Sequence, residues 1–69
     1  MTAKQFINIG TGYAGISKTE LASRLGWSPQ RLDMRLRAGK FTIEEWETIA
    51  KAMGAELKMS FKFPDGREV

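Results

Sequence analysis

Between Ser28 and Lys40 the chain places side chains of kinds that bind rather than break bonds: Gln30, Arg31, Met34, Arg35, Arg37 and Lys40, with Lys18 upstream. A primary amide offers the paired donor and acceptor that match adenine, a guanidinium the parallel N–H groups that match guanine, and a thioether an apolar surface for a thymine methyl. Phosphate asks only for positive charge or a donor, which Lys18, Ser28, Arg35, Arg37 and Lys40 can supply. The chemistry on offer is recognition of a polyanion, with some side chains suited to base edges and others to backbone.

Bond-making chemistry finds less material. The 69 residues contain no histidine and no cysteine, so the usual general base, the usual activator of a nucleophile and the commonest metal ligands are missing. Composition therefore argues against an enzyme and identifies no catalytic residue, metal site, cofactor or small-molecule ligand. The acids Glu44, Glu45 and Glu47 have no ligand set around them and read as a solvated helix start favoured by the helix dipole. The segment GTGYAG, residues 10–15, spells G-x-G-x-x-G, but a dinucleotide site needs a βαβ unit for which the chain has no room.

Charge is uneven along the chain. The net +3 divides into +1 over residues 1–16, +4 over 17–40, −3 over 41–56 and +1 over 57–69. The basic excess thus coincides with the candidate binding residues, and a local basic patch points first to nucleic acid. No apolar run is long enough for a membrane span and no secretory core is evident, which predicts a cytoplasmic, nucleoid-associated protein.

Three repeated start signals define the elements that must hold these side chains. In ISKTEL, Ser17 is set to cap, Glu20 to close a capping box and Ile16 to staple onto Leu21. In WSPQRL, Ser28 caps, Pro29 takes the first helical position and Trp27 staples onto Leu32. In FTIEEW, Thr42 caps, Glu45 closes a box and Phe41 staples onto Trp46. These place helix starts at 18, 29 and 43, with stops at Gly26, Gly39 and Gly54. The roles beside caps assign Trp27, Phe41 and Trp46 to packing rather than to stacking on single-stranded bases.

The last of these, a support helix over 43–53, is expected to turn Ile43, Trp46, Ala50 and Met53 inward. Before them, Phe6, Ile9 and Tyr13 have helical spacing after a possible Thr2 cap. Gly10 and Gly12 each cost about 1 kcal/mol in a helix, which predicts a short or frayed one. After them, ELKMSFKF alternates Leu57, Met59, Phe61 and Phe63 with polar residues before PDG, as a half-buried strand and turn would. That edge must pack on the helices or pair with a second copy, which makes these four residues the dimerisation candidates.

The reading is one domain over 1–69, mainly α. It is a compact helix-turn-helix domain of four to five short helices with a C-terminal β-strand or hairpin over 56–69. Small Ala22 and turn-forming Gly26 suit a tight, steep helix pair over the motif 17–38, with Leu21, Leu25, Trp27 and Leu32 sharing an apolar face.

Through ISKTELASRLGWSPQ and GKFTIEEWETIAKAMGAEL, from about Ile16 to Leu57, the chain resembles the phage-repressor and Cro-like helix-turn-helix proteins of bacteria and phages, the XRE family. The resemblance implies a homodimer on a double-stranded DNA operator, helix 29–37 in the major groove, and a role as a small transcriptional repressor or regulator. Gln30 matches a position that reads bases in such proteins, so Gln30, Arg31 and Met34 become the base-contacting candidates.

With Leu32 and Leu36 inward and roughly 100° per residue, Gln30 and Met34 lie opposite, Asp33 and Arg37 on one flank and Arg31 on the other. Asp33 would repel phosphate, and Arg37 four residues on can neutralise it. Arg35 stands where many members have an apolar residue, and whether it packs, clamps or reads depends on the roll of the helix. A protein-interaction adaptor built on the same scaffold is the alternative, since fold alone does not fix function.

Overall fold

The computed structural model describes all 69 residues. Four helices follow in order: α1 (Ala3–Ala14), α2 (Lys18–Leu25), α3 (Pro29–Ala38) and α4 (Ile43–Ala52). The three starts at 18, 29 and 43 lie where the caps place them. Ser17 Oγ accepts from the Glu20 N–H at 3.0 Å, Ser28 Oγ from Arg31 at 3.1 Å and Thr42 Oγ1 from Glu45 at 3.1 Å. At α4 the box is closed, because Glu45 Oε1 also accepts from the Thr42 N–H at 3.0 Å. At α2 it is not. Glu20 turns along the helix instead and pairs with Arg24 at 3.2 Å, the i,i+4 partner that a helix surface puts within reach.

The α2–α3 pair turns on Gly26, whose φ of 73° suits a residue without a Cβ. The N–H of Trp27 then returns to the Ala22 carbonyl at 2.9 Å. Leu21 and Ala22 are fully buried at this crossing, and with Ile7, Leu32, Leu36 and Ile49 they form the core. Leu25, Trp27, Phe41, Trp46 and Met53 pack around it, half-buried. The α4 face matches expectation at Trp46, Ala50 and Met53 and departs from it at Ile43. Ile49 and Ala50 are the buried pair, Trp46 and Met53 flank them, and Ile43 is exposed.

Helix α1 is the larger departure. It runs twelve residues, through both glycines, from a Thr2–Gln5 capping box to Gly15 in the left-handed region. Its buried residues are Ile7 and Thr11, with the Thr11 hydroxyl donating to the Ile7 carbonyl at 2.9 Å, whereas Phe6, Ile9 and Tyr13 are exposed. Packing explains why Gly10 does not break the helix. A Cβ there would lie 3.0 Å from both Sδ and Cε of Met53, so the missing side chain is the space Met53 fills.

Residues 58–69 are exposed throughout and contain no strand. The chain makes a turn with one antiparallel bridge, Lys62 to Glu68, flanked by backbone bonds between Phe61 and Val69 and between Phe63 and Arg67. The expected half-buried edge is therefore unburied: Met59 is 62%, Phe61 75% and Phe63 50% exposed, and only Leu57 is half-buried against the helices. Two paired residues with no neighbouring sheet are too few for a stable strand.

Candidate nucleic-acid interface

Helix α3 is held from behind by Leu32 and Leu36, both buried, and this fixes which side chains it offers to solvent. Gln30, Arg31, Met34, Arg37 and Lys40 are all exposed on or beside it, and Lys18 is exposed at the start of α2. Gln30 and Met34 share the outward face, as the helical period requires. Arg37 pairs with Asp33 at 2.8 Å, an exposed i,i+4 bridge that cancels the one acid on this surface.

Arg31 does not hang free. Its guanidinium lies over the Trp27 ring, 4.8 Å from the centroid, a cation–π arrangement that narrows the rotamers the arginine samples. Trp27 therefore has two faces of use. It packs against the core and gives Arg31 a shelf.

Arg35 resolves in favour of packing. Its Nη2 donates to Glu45 Oε2 at 2.6 Å and to the Lys40 carbonyl at 3.3 Å, and its guanidinium lies between Trp27, at 5.4 Å, and Phe41, at 5.1 Å. The side chain is 29% exposed. Arg35 thus fastens α3 to the start of α4 and is withdrawn from the expected phosphate-contacting set. Glu45, expected only as a solvated helix start, is the other half of the fastening. Its carboxyl is held below the usual range, first by the N–H of Thr42 and then by Arg35, with burial opposing.

The first turn of α3 can meet an anion. Pro29 has no N–H, the Arg31 N–H is taken by Ser28 Oγ and the Leu32 N–H by the Ser28 carbonyl, which leaves Gln30 as the backbone donor. Ser28 Oγ accepts in its cap and keeps its own proton to donate. Elsewhere in the motif, Arg24 donates to the Ala52 carbonyl at 2.9 Å and so binds α2 to the end of α4.

Trp27, under Arg31, and Glu45, paired with Arg35, are the supports that spacing did not disclose. Both were visible as helix-start residues, but their partners lie on different turns or different helices. No group of three or more carboxylates converges as a metal site would require, and no helix is long and apolar enough to cross a membrane. No family model matches the chain, and comparison with curated proteins and with solved structures finds no match.

Proposed function

We propose that the chain is a sequence-specific, double-stranded DNA-binding regulator of transcription, with α2, its turn and α3 acting as a helix-turn-helix. The observation that carries this reading is the outward face of α3. It presents Gln30, Arg31 and Met34 on a helix locked from behind, inside the segment that carries the basic excess. Gln30, Arg31 and Met34 face base edges, while Lys18, Ser28, Arg37 and Lys40 contact phosphate. The family resemblance of residues 16–57 supports the same assignment and a role as a bacterial or phage repressor.

A helix of this kind reads only a few base pairs, so an operator calls for two copies with half-sites about one helical turn apart. The apolar edge Leu57, Met59, Phe61 and Phe63 is the dimerisation element, taking up its strand form when a second copy covers it. Selection of bound sequences from a random duplex pool tests the reading. A recovered twofold site, with binding that weakens steeply as salt rises, is the expected result.

The exposed apolar side chains of the tail favour one other reading, an adaptor that binds a protein. Absence of any salt-sensitive binding to random duplex, with no sequence recovered, would select it.

A further inference from the structure

Two arginines of α3 with different tasks meet on one ring. The Trp27 indole carries the Arg31 guanidinium at 4.8 Å from its centroid and the Arg35 guanidinium at 5.4 Å. The pair stands four residues apart on the helix, with Arg31 exposed and Arg35 drawn in against the start of α4. Sharing a ring couples the two.

Arg35 is the fixed member. Its Nη2 donates to Glu45 Oε2 at 2.6 Å and to the Lys40 carbonyl at 3.3 Å, and the Phe41 ring lies 5.1 Å from the guanidinium. Each of these supports is itself held. Glu45 Oε1 accepts from the Thr42 N–H at 3.0 Å. Phe41 rests on Trp46, with ring centroids 4.7 Å apart, and Trp46 meets Phe6 at 5.3 Å across the groove between α1 and α4 that Met53 also lines. Between Phe6 and Arg31 every side chain in this run is half-buried.

We infer that Glu45 and Phe41, neither of which belongs to the DNA-contacting set, are positioning residues for Arg31: they pin Arg35, and the pinned Arg35 holds the Trp27 ring as the surface on which Arg31 is placed. The first turn of α4 thereby sets sequence preference at the base pair that Arg31 reads. The inference rests on the proposed function where it concerns preference, and on the free protein alone where it concerns the placing of the Arg31 side chain.

Charge explains the part of Glu45. Two guanidiniums on one indole lie within about 10 Å of each other, close to the screening length of about 8 Å at physiological salt. An unpaired Arg35 would repel Arg31 and compete with it for the face of the ring. Paired with Glu45, Arg35 reaches the ring as half of a neutral couple, and the indole is free to attract Arg31. Phe41 gives the Arg35 guanidinium a second surface, without which it can turn about its bond to Glu45. Fastening α3 to α4 needs only the Arg35–Glu45 bond. The added contact with Trp27 is what carries the fastening to the binding surface.

Side-chain NMR of the free protein and selection of bound sites test the two parts separately. A guanidinium above an indole face is shielded by the ring current, so the Arg31 Nε–H proton should resonate upfield of its position in Trp27→Leu. Glu45→Gln keeps an oxygen for the Thr42 N–H, and with it the cap, but removes the charge that holds Arg35. Phe41→Leu keeps an apolar contact for Trp46 but removes the ring over Arg35. Both should move the Arg31 proton most of the way to its Trp27→Leu position, whereas Phe41→Tyr should keep it upfield. Ile49→Val, which lowers stability from within the core, should leave it in place. In selection, Arg31→Ala identifies the base pair concerned. Preference there should fall roughly 2- to 5-fold in Glu45→Gln and in Phe41→Leu, the worth of an exposed cation–π contact, with the other positions unchanged.

An Arg31 proton that is not upfield in wild type overturns the inference, and so does a shift of equal size in Ile49→Val, which marks general loosening. A proton that stays upfield in Glu45→Gln or in Phe41→Leu strikes that residue from the positioning set. Preference that is unchanged while the proton moves overturns the claim on specificity. Failure to bind any duplex, with the proton moving as expected, overturns the functional reading and leaves the placing of Arg31 standing.

Discussion

Arg35 Nη2 lies 2.6 Å from Glu45 Oε2, and the bond joins the middle of α3 to the first turn of α4. Both side chains are partly shielded, and Arg35 is further enclosed by Trp27 and Phe41. The contrast is Arg37–Asp33, of similar length at 2.8 Å but with the arginine 74% exposed. An exposed pair of that kind contributes about 0.5 kcal/mol or less. Arg35→Ala should therefore lower Tm clearly more than Arg37→Ala, since it strips a shielded carboxylate of its partner and two rings of their cation. Thermal melts of the two variants side by side make the comparison, and equal shifts would sink it.

The same bond has a definite pH dependence. The folded-state pKa of Glu45 lies below its unfolded value because the Thr42 N–H and Arg35 favour the charged form. Its stabilisation is present in full above the unfolded carboxylate range and is lost as pH falls through the folded pKa. At neutral pH, Glu45→Gln should melt below wild type. The gap should close as both proteins are acidified, and a constant gap down to pH below the carboxylate range would contradict the assignment.

What was legible in the sequence was what depends on neighbours in the chain. The three helix starts follow from Ser17, Ser28 and Thr42 acting on N–H groups three residues away, so they could be placed without knowing the packing. The inward face of α1 could not. Phe6, Ile9 and Tyr13 are more apolar than Ile7 and Thr11 taken together, yet α1 is rolled so that Gly10 meets Met53, a contact across 43 positions. Arg35 was ambiguous for the same reason. It lies at the border of the buried face of α3, and Glu45, ten residues on, decides which side it joins.

Trp27 should act through Arg31. If the 4.8 Å stack holds the guanidinium in its reading position, Trp27→Leu keeps an apolar side chain for the core but removes the shelf. Sites selected by this variant should lose preference at the same base pair that Arg31→Ala relaxes, with the remaining positions unchanged. Arg31→Lys should not restore it, because an ammonium lacks the planar fork that stacks and pairs bidentately. An unaltered preference in Trp27→Leu would leave the stack without a role in recognition.

The two glycines inside α1 should answer differently to alanine. A Cβ at Gly12 meets nothing within 4 Å, so Gly12→Ala gains helix propensity of about 1 kcal/mol without a contact to disturb. That corresponds to a rise in Tm of about 4–8 °C for a domain of this size. Gly10→Ala gains the same propensity but presses its Cβ to 3.0 Å of the Met53 thioether, which must yield. It should stabilise less than Gly12→Ala or destabilise, and combining it with Met53→Ala should recover part of the propensity gain at the expense of the groove. Chemical denaturation of the three variants beside wild type orders them.

Base reading and phosphate binding should separate by mutation along α3. Gln30 stands on the outward face in the first turn, where its amide can discriminate between bases, whereas Lys40 lies past the helix end and carries charge alone. Gln30→Ala should change which sequence is preferred, at a cost of roughly 1–3 kcal/mol on the best site. Lys40→Ala should weaken binding to every sequence alike and reduce the salt slope by about one. Arg35→Lys is the informative control. A phosphate clamp would tolerate it, whereas a guanidinium fixed by Glu45, the Lys40 carbonyl and two rings should not, and the loss should appear in Tm before it appears in affinity. Gel shifts across a salt series, paired with melts of the same preparations, distinguish the three behaviours.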